Sequence, residues 1–312
     1  MITTVTLNAS IDKAYHMEKK IENGTVMRVA SCHNTAGGKG INVARVVKLC
    51  GEDVLATGLV GGFNGKYLQK MLKEDQIQQK FVLVNAETRS CINILDPAYS
   101  STEYLEPGCE ISEEEETNFI EKFPEIIGES KVVTISGSIP KGLGKDIYKR
   151  IVELAKEMGK QVILDTSGEP LKFGLEAKPT MVKPNKDEME ALFGIEIHKM
   201  DDVIEGAKRL YHMGIENVVI SLGGDGALLV CEDGIFTGKP PKVEVVNTVG
   251  CGDSMVAAFA VGMVRQYEKK ECLKYAVSVA TANALSDSTG NFDPGVRDEI
   301  YENVIVEKIA KV

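Results

Sequence analysis

No two of the seven cysteines (Cys32, Cys50, Cys91, Cys109, Cys231, Cys251 and Cys272) stand in C-x-x-C spacing, and their number is odd. That excludes a disulfide framework, argues against a zinc site and fits a reducing cytosol. No apolar run approaches the ~20 residues needed to span a bilayer. The opening Met1-Ile-Thr-Thr-Val-Thr-Leu lacks the basic and long apolar regions of a signal peptide. A cytoplasmic protein with no membrane partner is therefore expected. Positive charge is in deficit: 36 Lys and Arg against 46 Asp and Glu give a formal net charge of -10. This argues against nucleic-acid binding, yet a local cluster of cations can still hold an anionic small substrate. There is no repeat at solenoid periods and no low-complexity segment. A Walker A loop is missing, and no G-x-G-x-x-G follows the first β-like run, which speaks against a nicotinamide dehydrogenase.

What is present is ordinary for a large α/β domain: 312 residues, 43% hydrophobic and 26% charged. Residues 3–7, 132–136, 162–165 and 217–221 are short β-branched runs bounded by Gly or polar residues, as buried parallel strands are. Amphipathic stretches at 145–158 and 201–213 stop near Gly159 and Gly214, suited to helix C-termini. Ser112 and Glu115 form an S-x-x-E capping box at the head of an acidic run. Alternating strands and helices imply a parallel sheet covered on both faces, with ligands at its carboxyl edge. Segments 13–35 and 88–107 break the rhythm with extended, alternating polar residues. They read as a small antiparallel sheet, either a lid over a cleft or a surface insertion.

Four motifs carry candidate chemistry. In Asn247-Thr-Val-Gly-Cys-Gly-Asp-Ser-Met255, Gly250, Cys251 and Gly252 turn the chain into a helix whose free N–H groups make an anion site. Asp253 in its first turn reads either as a cap or as a base beside that site. In Ala36-Gly-Gly-Lys-Gly-Ile-Asn42, Gly37 and Gly38 allow close backbone approach, while Lys39 and Asn42 offer a cation and an amide at a helix start. In Lys183-Pro-Asn-Lys-Asp-Glu188, Asn185 and Glu188 form either a capping box or a water-mediated Mg2+ site. The turn Ser221-Leu-Gly-Gly-Asp-Gly226 passes nucleotide phosphates or simply closes a hairpin.

Taken together, Gly-Gly-Lys-Gly-Ile-Asn near the start and Val-Gly-Cys-Gly-Asp-Ser near the end resemble the paired signatures of the PfkB (ribokinase-like) carbohydrate kinases. Asn-x-x-Glu at 185–188 resembles that family's magnesium-linked motif. The resemblance spans nearly the whole chain. It implies a ribokinase-like, Rossmann-type three-layer sandwich over 1–312, with a mostly parallel central sheet, a small β lid and a possible homodimer formed through that lid. It also implies ATP and Mg2+ as cofactors and Asp253 as catalytic base, with Lys183, Asn185, Ser221, Gly223, Gly226 and Asn283 near the nucleotide. Within the family the chain looks most like the phosphosugar branch of 1-phosphofructokinases and tagatose-6-phosphate kinases. By that resemblance Asp12 binds sugar hydroxyls, Arg28, Lys39 and Arg89 hold the substrate phosphate, and Asn93 and Ser138 lie nearby. A sugar phosphate needs cations that a neutral sugar does not. Ala9 and Cys251 depart from the commoner Pro and Ala or Ser. Residues 88–92 and 163–168 resemble the tagatose enzymes, whereas 219–223 and 239–249 resemble 1-phosphofructokinases. The preferred acceptor is thus fructose 1-phosphate, with tagatose 6-phosphate as the alternative.

Overall fold

In the computed structural model, which describes residues 1–97 and 101–312, the runs of β-branched residues become strands between amphipathic helices. The strands are β1 (Ile2–Thr6), β2 (Ser10–His16), β3 (Ser31–Gly37), β4 (Val54–Gly61), β5 (Gln78–Val84), β6 (Arg89–Leu95), β7 (Ser101–Leu105), β8 (Val132–Ser136), β9 (Gln161–Asp165), β10 (Met181–Val182), β11 (Asn217–Ser221), β12 (Ala227–Cys231), β13 (Gly234–Lys239) and β14 (Ile305–Ala310). The helices are α1 (Lys39–Leu49), α2 (Gly62–Glu74), α3 (Glu113–Ile127), α4 (Ile147–Glu157), α5 (Gly168–Glu176), α6 (Lys186–Phe193), α7 (Met200–His212), α8 (Cys251–Val264), α9 (Lys269–Ala284) and α10 (Pro294–Asn303).

Ten strands form the central sheet in the order β14-β13-β12-β11-β10-β9-β8-β1-β4-β5. From β11 through β5 all neighbours are parallel, while β12, β13 and β14 add antiparallel strands at one edge. The parallel strands are buried end to end, for example Ile2–Thr6 and Val132–Ser136, which is why they read as continuous apolar runs. One apolar cluster packs α1, α2, α8, α9 and α10 on one face. A second packs α3, α4, α5, α6 and α7 on the other. The result is the expected three-layer sandwich. Among the described residues no helix is long and apolar enough to cross a membrane.

The second sheet has the order β3-β2-β6-β7. Here the expectation of an antiparallel sheet needs correction. The β2–β3 and β6–β7 pairs are antiparallel, but the central β2–β6 pair is parallel. The cause is topological: β2 continues from β1 and β6 follows β5, so both leave the main sheet at its carboxyl edge and run outward together. Residues 98–100 of the expected lid segment lie outside the described residues.

Helices α1 and α8 run side by side in the same direction. At their far ends Arg265 donates to the Cys50 carbonyl (2.6 Å) and to Glu52 (2.7 Å). Their near ends face the carboxyl edge, where the second sheet leaves the first.

Candidate active site

The turn before α8 depends on Gly250, whose φ of +84° lies in the left-handed region. The Ser254 N–H returns to the Gly250 carbonyl (2.8 Å). Among the described residues no acceptor takes the N–H of Gly250, Gly252 or Asp253. The start of α8 is therefore a cluster of open donors at a positive dipole end, suited to a phosphate.

Asp253 is not used as a cap, because no side-chain cap bond forms at this helix. Its carboxylate is 6% exposed and accepts from Asn42 Nδ2 at 2.9 Å. Burial pushes its pKa up to about 6, with Asp165 adding to the rise and Lys39, Asn42 and Lys183 opposing it. Asn42 is itself oriented by Arg45, whose Nη1 donates to Asn42 Oδ1 at 3.2 Å and whose Nη2 holds the Ala36 carbonyl.

Lys39, at the head of α1, and Lys183, after β10, meet on one carboxylate. Asp165 at the end of β9 is 2% exposed and lies 3.6 Å from Lys39 Nζ and 3.2 Å from Lys183 Nζ. The Lys39 pKa is raised, foremost by Asp165. Lys39 thus lies in the field of both the Asp165 and the Asp253 carboxylates. Asp165 was not among the sequence candidates. Its signal was available: a carboxylate ending a buried parallel strand at the ligand edge.

The lid side is organised around Asp12 on β2. Burial raises its carboxyl pKa, while the Ser10 hydroxyl, donating at 2.6 Å, and the charges of Arg45 and Arg89 pull it down. Gly37 is required there, since a Cβ would fall 2.1 Å from the Asp12 carboxyl carbon. Gly38 follows as the cap of α1. Arg89 donates to the Asn8 carbonyl through Nε (3.3 Å) and Nη2 (3.1 Å), and to the Glu106 carbonyl at 2.8 Å. Asn8 Nδ2 in turn reaches Ser138 Oγ at 3.1 Å. Asn8 and Arg45 are the other residues sequence reasoning missed; Arg45 lies one helical turn from Asn42, which is the signal for it. Asn93 accepts from Ser101 at 2.7 Å. Arg28 is exposed in the loop before β3 and pairs with nothing among the described residues. Among the described residues no direct contact joins Arg28, Lys39 and Arg89, which lie in the loop before β3, at the head of α1 and at the start of β6 respectively.

On the nucleotide side, Asn185 and Glu188 form a complete capping box: Asn185 Oδ1 accepts from the Glu188 N–H (2.8 Å) and Glu188 Oε2 from the Asn185 N–H (3.0 Å). A bridge between Asn185 and Ser221 stitches the ends of β10 and β11 together. Gly223 and Gly226 shape the tight turn into β12, closed by Leu222 N–H on the Gly226 carbonyl (2.8 Å). Asn283 lies directly behind the turn that opens α8. It is fully buried, donates to the Val249 carbonyl (3.0 Å) and Cys251 Sγ (3.5 Å), and accepts from Ser254 (3.1 Å) and Gly290 N–H (3.0 Å). Its amide braces the Val249–Cys251 loop from behind. Among the described residues no group of three or more His, Cys, Asp or Glu converges as a metal cluster.

The family model for pfkB family carbohydrate kinases matches residues 5–294. Among solved structures, phosphofructokinase-2 from Escherichia coli in complex with potassium is 30% identical, with a TM-score of 0.92 over 97% of this chain and 98% of that one. The same enzyme in complex with fructose-6-phosphate aligns with a TM-score of 0.89 at 29% identity, over 97% and 98% of the two chains. A protein described as a possible 1-phosphofructokinase from Thermotoga maritima is 26% identical, with a TM-score of 0.89 over 99% of each chain.

Proposed function

The chain belongs to the pfkB family of carbohydrate kinases, and on that premise we propose that it transfers the γ-phosphoryl group of ATP to a hydroxyl of a ketohexose monophosphate, fructose 1-phosphate first. The observation that carries this reading is the buried Asp253, bonded to Asn42 at 2.9 Å beside the open N–H groups of α8. A carboxylate with a pKa of about 6 is ionised at neutral pH and still basic enough to accept the acceptor's hydroxyl proton. The N–H groups of Gly250, Gly252 and Asp253 stabilise the equatorial oxygens of the transferring phosphoryl. Lys183 and Lys39 neutralise charge on either side of it.

Asn185 and Glu188 fit Mg2+. Their donor atoms are oxygens, the capping box fixes their orientation, and Glu188 Oε1 accepts nothing among the described residues. When bound, Mg2+ supplies charge neutralisation at the phosphates. Ser221, Gly223 and Gly226 line the turn beside the nucleotide. On the lid side Asp12 orients sugar hydroxyls, and Arg28 and Arg89 serve the substrate phosphate, with Asn93 and Ser138 nearby. The carbonyl of Asn8 fixes the Arg89 guanidinium in place before substrate arrives. Lid closure excludes water and limits ATP hydrolysis. The edges of β3 and β7 leave unpaired backbone groups through which a second copy would pair.

A second reading, fructose 6-phosphate as acceptor, is favoured by the likeness to E. coli phosphofructokinase-2; tagatose 6-phosphate is the third. Purified protein with Mg-ATP, assayed for ADP release on the three phosphates, tests the proposal. One phosphate should lead by at least ~10-fold in kcat/KM. Arg89→Ala should raise the acceptor KM by at least ~10-fold and leave the KM for ATP unchanged. Turnover of ribose, free fructose or a nucleoside with none on the phosphates refutes the cationic-site reading. Binding of a sugar phosphate without any product refutes the kinase reading of the site.

A further inference from the structure

We propose that Asp165 is a positioning residue, whose carboxylate holds the Lys39 and Lys183 ammonium groups off the base Asp253. The inference rests on the reading of Asp253 as base. Asp165 is almost fully buried, and neither of its oxygens has a hydrogen-bond partner of good geometry among the described residues. Each oxygen instead faces one cation, Oδ1 facing Lys183 and Oδ2 facing Lys39. Burying a carboxylate is costly unless cations pair with it. Asp165 and Asp253 thus set two carboxylates beside the two lysines at the floor of the cleft.

This sharing has a chemical purpose. Lys183 is 5% exposed and has no other acidic partner among the described residues. Both lysines already act on Asp253 across the cleft. Were Asp165 neutral, Asp253 would be the carboxylate left to them. A base locked against two ammonium groups is a weak proton acceptor. With Asp165 in place, Asp253 has the Asn42 amide as its one direct partner among the described residues, and the lysines stay poised for the phosphates.

The groups facing this network are few. Asp253 is faced by Lys39 and Asn42 from α1, by Asp165 from β9 and by Lys183 after β10. Asp165 also acts on Tyr148 of α4, whose hydroxyl donates to the Gly137 carbonyl at 3.0 Å and whose pKa is raised by burial. Glu188 of α6 adds to the field on Lys39.

The test compares Asp165→Asn and Asp165→Glu with the wild type on the best acceptor of the panel, across the pH range. In Asp165→Asn, kcat should fall at least ~10-fold, and the acid limb of kcat/KM should move about one pH unit lower. Loss of a like charge and the turning of both lysines toward Asp253 act in that same direction. Asp165→Glu keeps the charge but displaces it by a methylene. Its acid limb should stay at the wild-type position while kcat falls several-fold. This second variant decides the matter if the Asn variant does not fold. An unmoved limb in Asp165→Asn, or full turnover by Asp165→Glu, overturns the proposal, because a purely structural role lowers the active fraction without moving the limb. Asp253→Asn run alongside separates the two readings. If it is fully active, the base assignment itself falls; if it is inactive and the Asp165→Asn limb is unmoved, only the role of Asp165 falls.

Discussion

Replacing Asp253 with Asn should cripple turnover and stabilise the protein at the same time. The folded protein raises the Asp253 pKa from 3.8 to about 6. A shift of roughly two pH units corresponds to about 3 kcal/mol. The folded state holds this proton more tightly than the unfolded chain does. Its contribution therefore favours the fold below the ordinary carboxylate range and is lost as pH rises through about 6. At about pH 8 the wild type bears the whole cost of a buried anion, whereas the isosteric amide bears none of it. Over 312 residues, an unfolding entropy of about 2.1 cal/mol/K per residue converts this to a Tm higher by about 4–5 °C. At about pH 4 the two proteins should melt within about 1 °C of each other. Calorimetry across the pH range, paired with ADP release, reads both effects. Turnover should drop at least ~10²-fold. A variant no more stable than the wild type at about pH 8 would refute the claim that Asp253 is kept ionised against its environment. Unimpaired turnover would refute its role as base.

The remaining predictions concern its neighbours. Asn42→Ala removes the one hydrogen bond that pulls the Asp253 pKa down, so the acid limb of kcat/KM should move above about pH 6 while kcat falls roughly 10-fold; a limb that stays put disproves the coupling. Gly37→Ala places a methyl 2.1 Å from the Asp12 carboxyl carbon. The acceptor KM should then rise at least ~10-fold with the KM for ATP unchanged, in steady-state kinetics; an equal rise in both would mean that the loop has collapsed as a whole.

How much of this was legible beforehand depended on whether the information was local. β8 and β11 fall on the apolar runs 132–136 and 217–221, because a strand buried on both faces must be apolar throughout. The Ser112–Glu115 box has both of its bonds, as does the box at Asn185 and Glu188. There the sequence left capping and metal binding as alternatives, and the geometry shows that capping leaves one carboxylate oxygen over. The parallel β2–β6 pairing was not legible, since it depends on where two distant segments leave the main sheet. Asp165 was passed over although it ends a buried strand at the ligand edge, because a carboxylate after Val162-Ile-Leu reads first as the polar boundary of that strand. Its importance appears only when β9, α1 and the segment after β10 converge. Asn283 shows the same dependence on convergence: its four side-chain hydrogen bonds to the turn before α8, to Ser254 and to Gly290 join segments that the sequence does not place together.

The pairing of α1 with α8 makes the chemistry a matter of register between two rods. Asn42 and Asp253 touch near one end, and Arg265 clamps Cys50 and Glu52 at the other. A helix of 11 to 14 residues is about 17–21 Å long, and a slip of one residue displaces its tip by about 1.5 Å. That is enough to break a 2.9 Å hydrogen bond. A surface arginine at the remote end therefore helps keep the Asp253 carboxylate and the Asn42 amide in step, from the opposite end of the two rods.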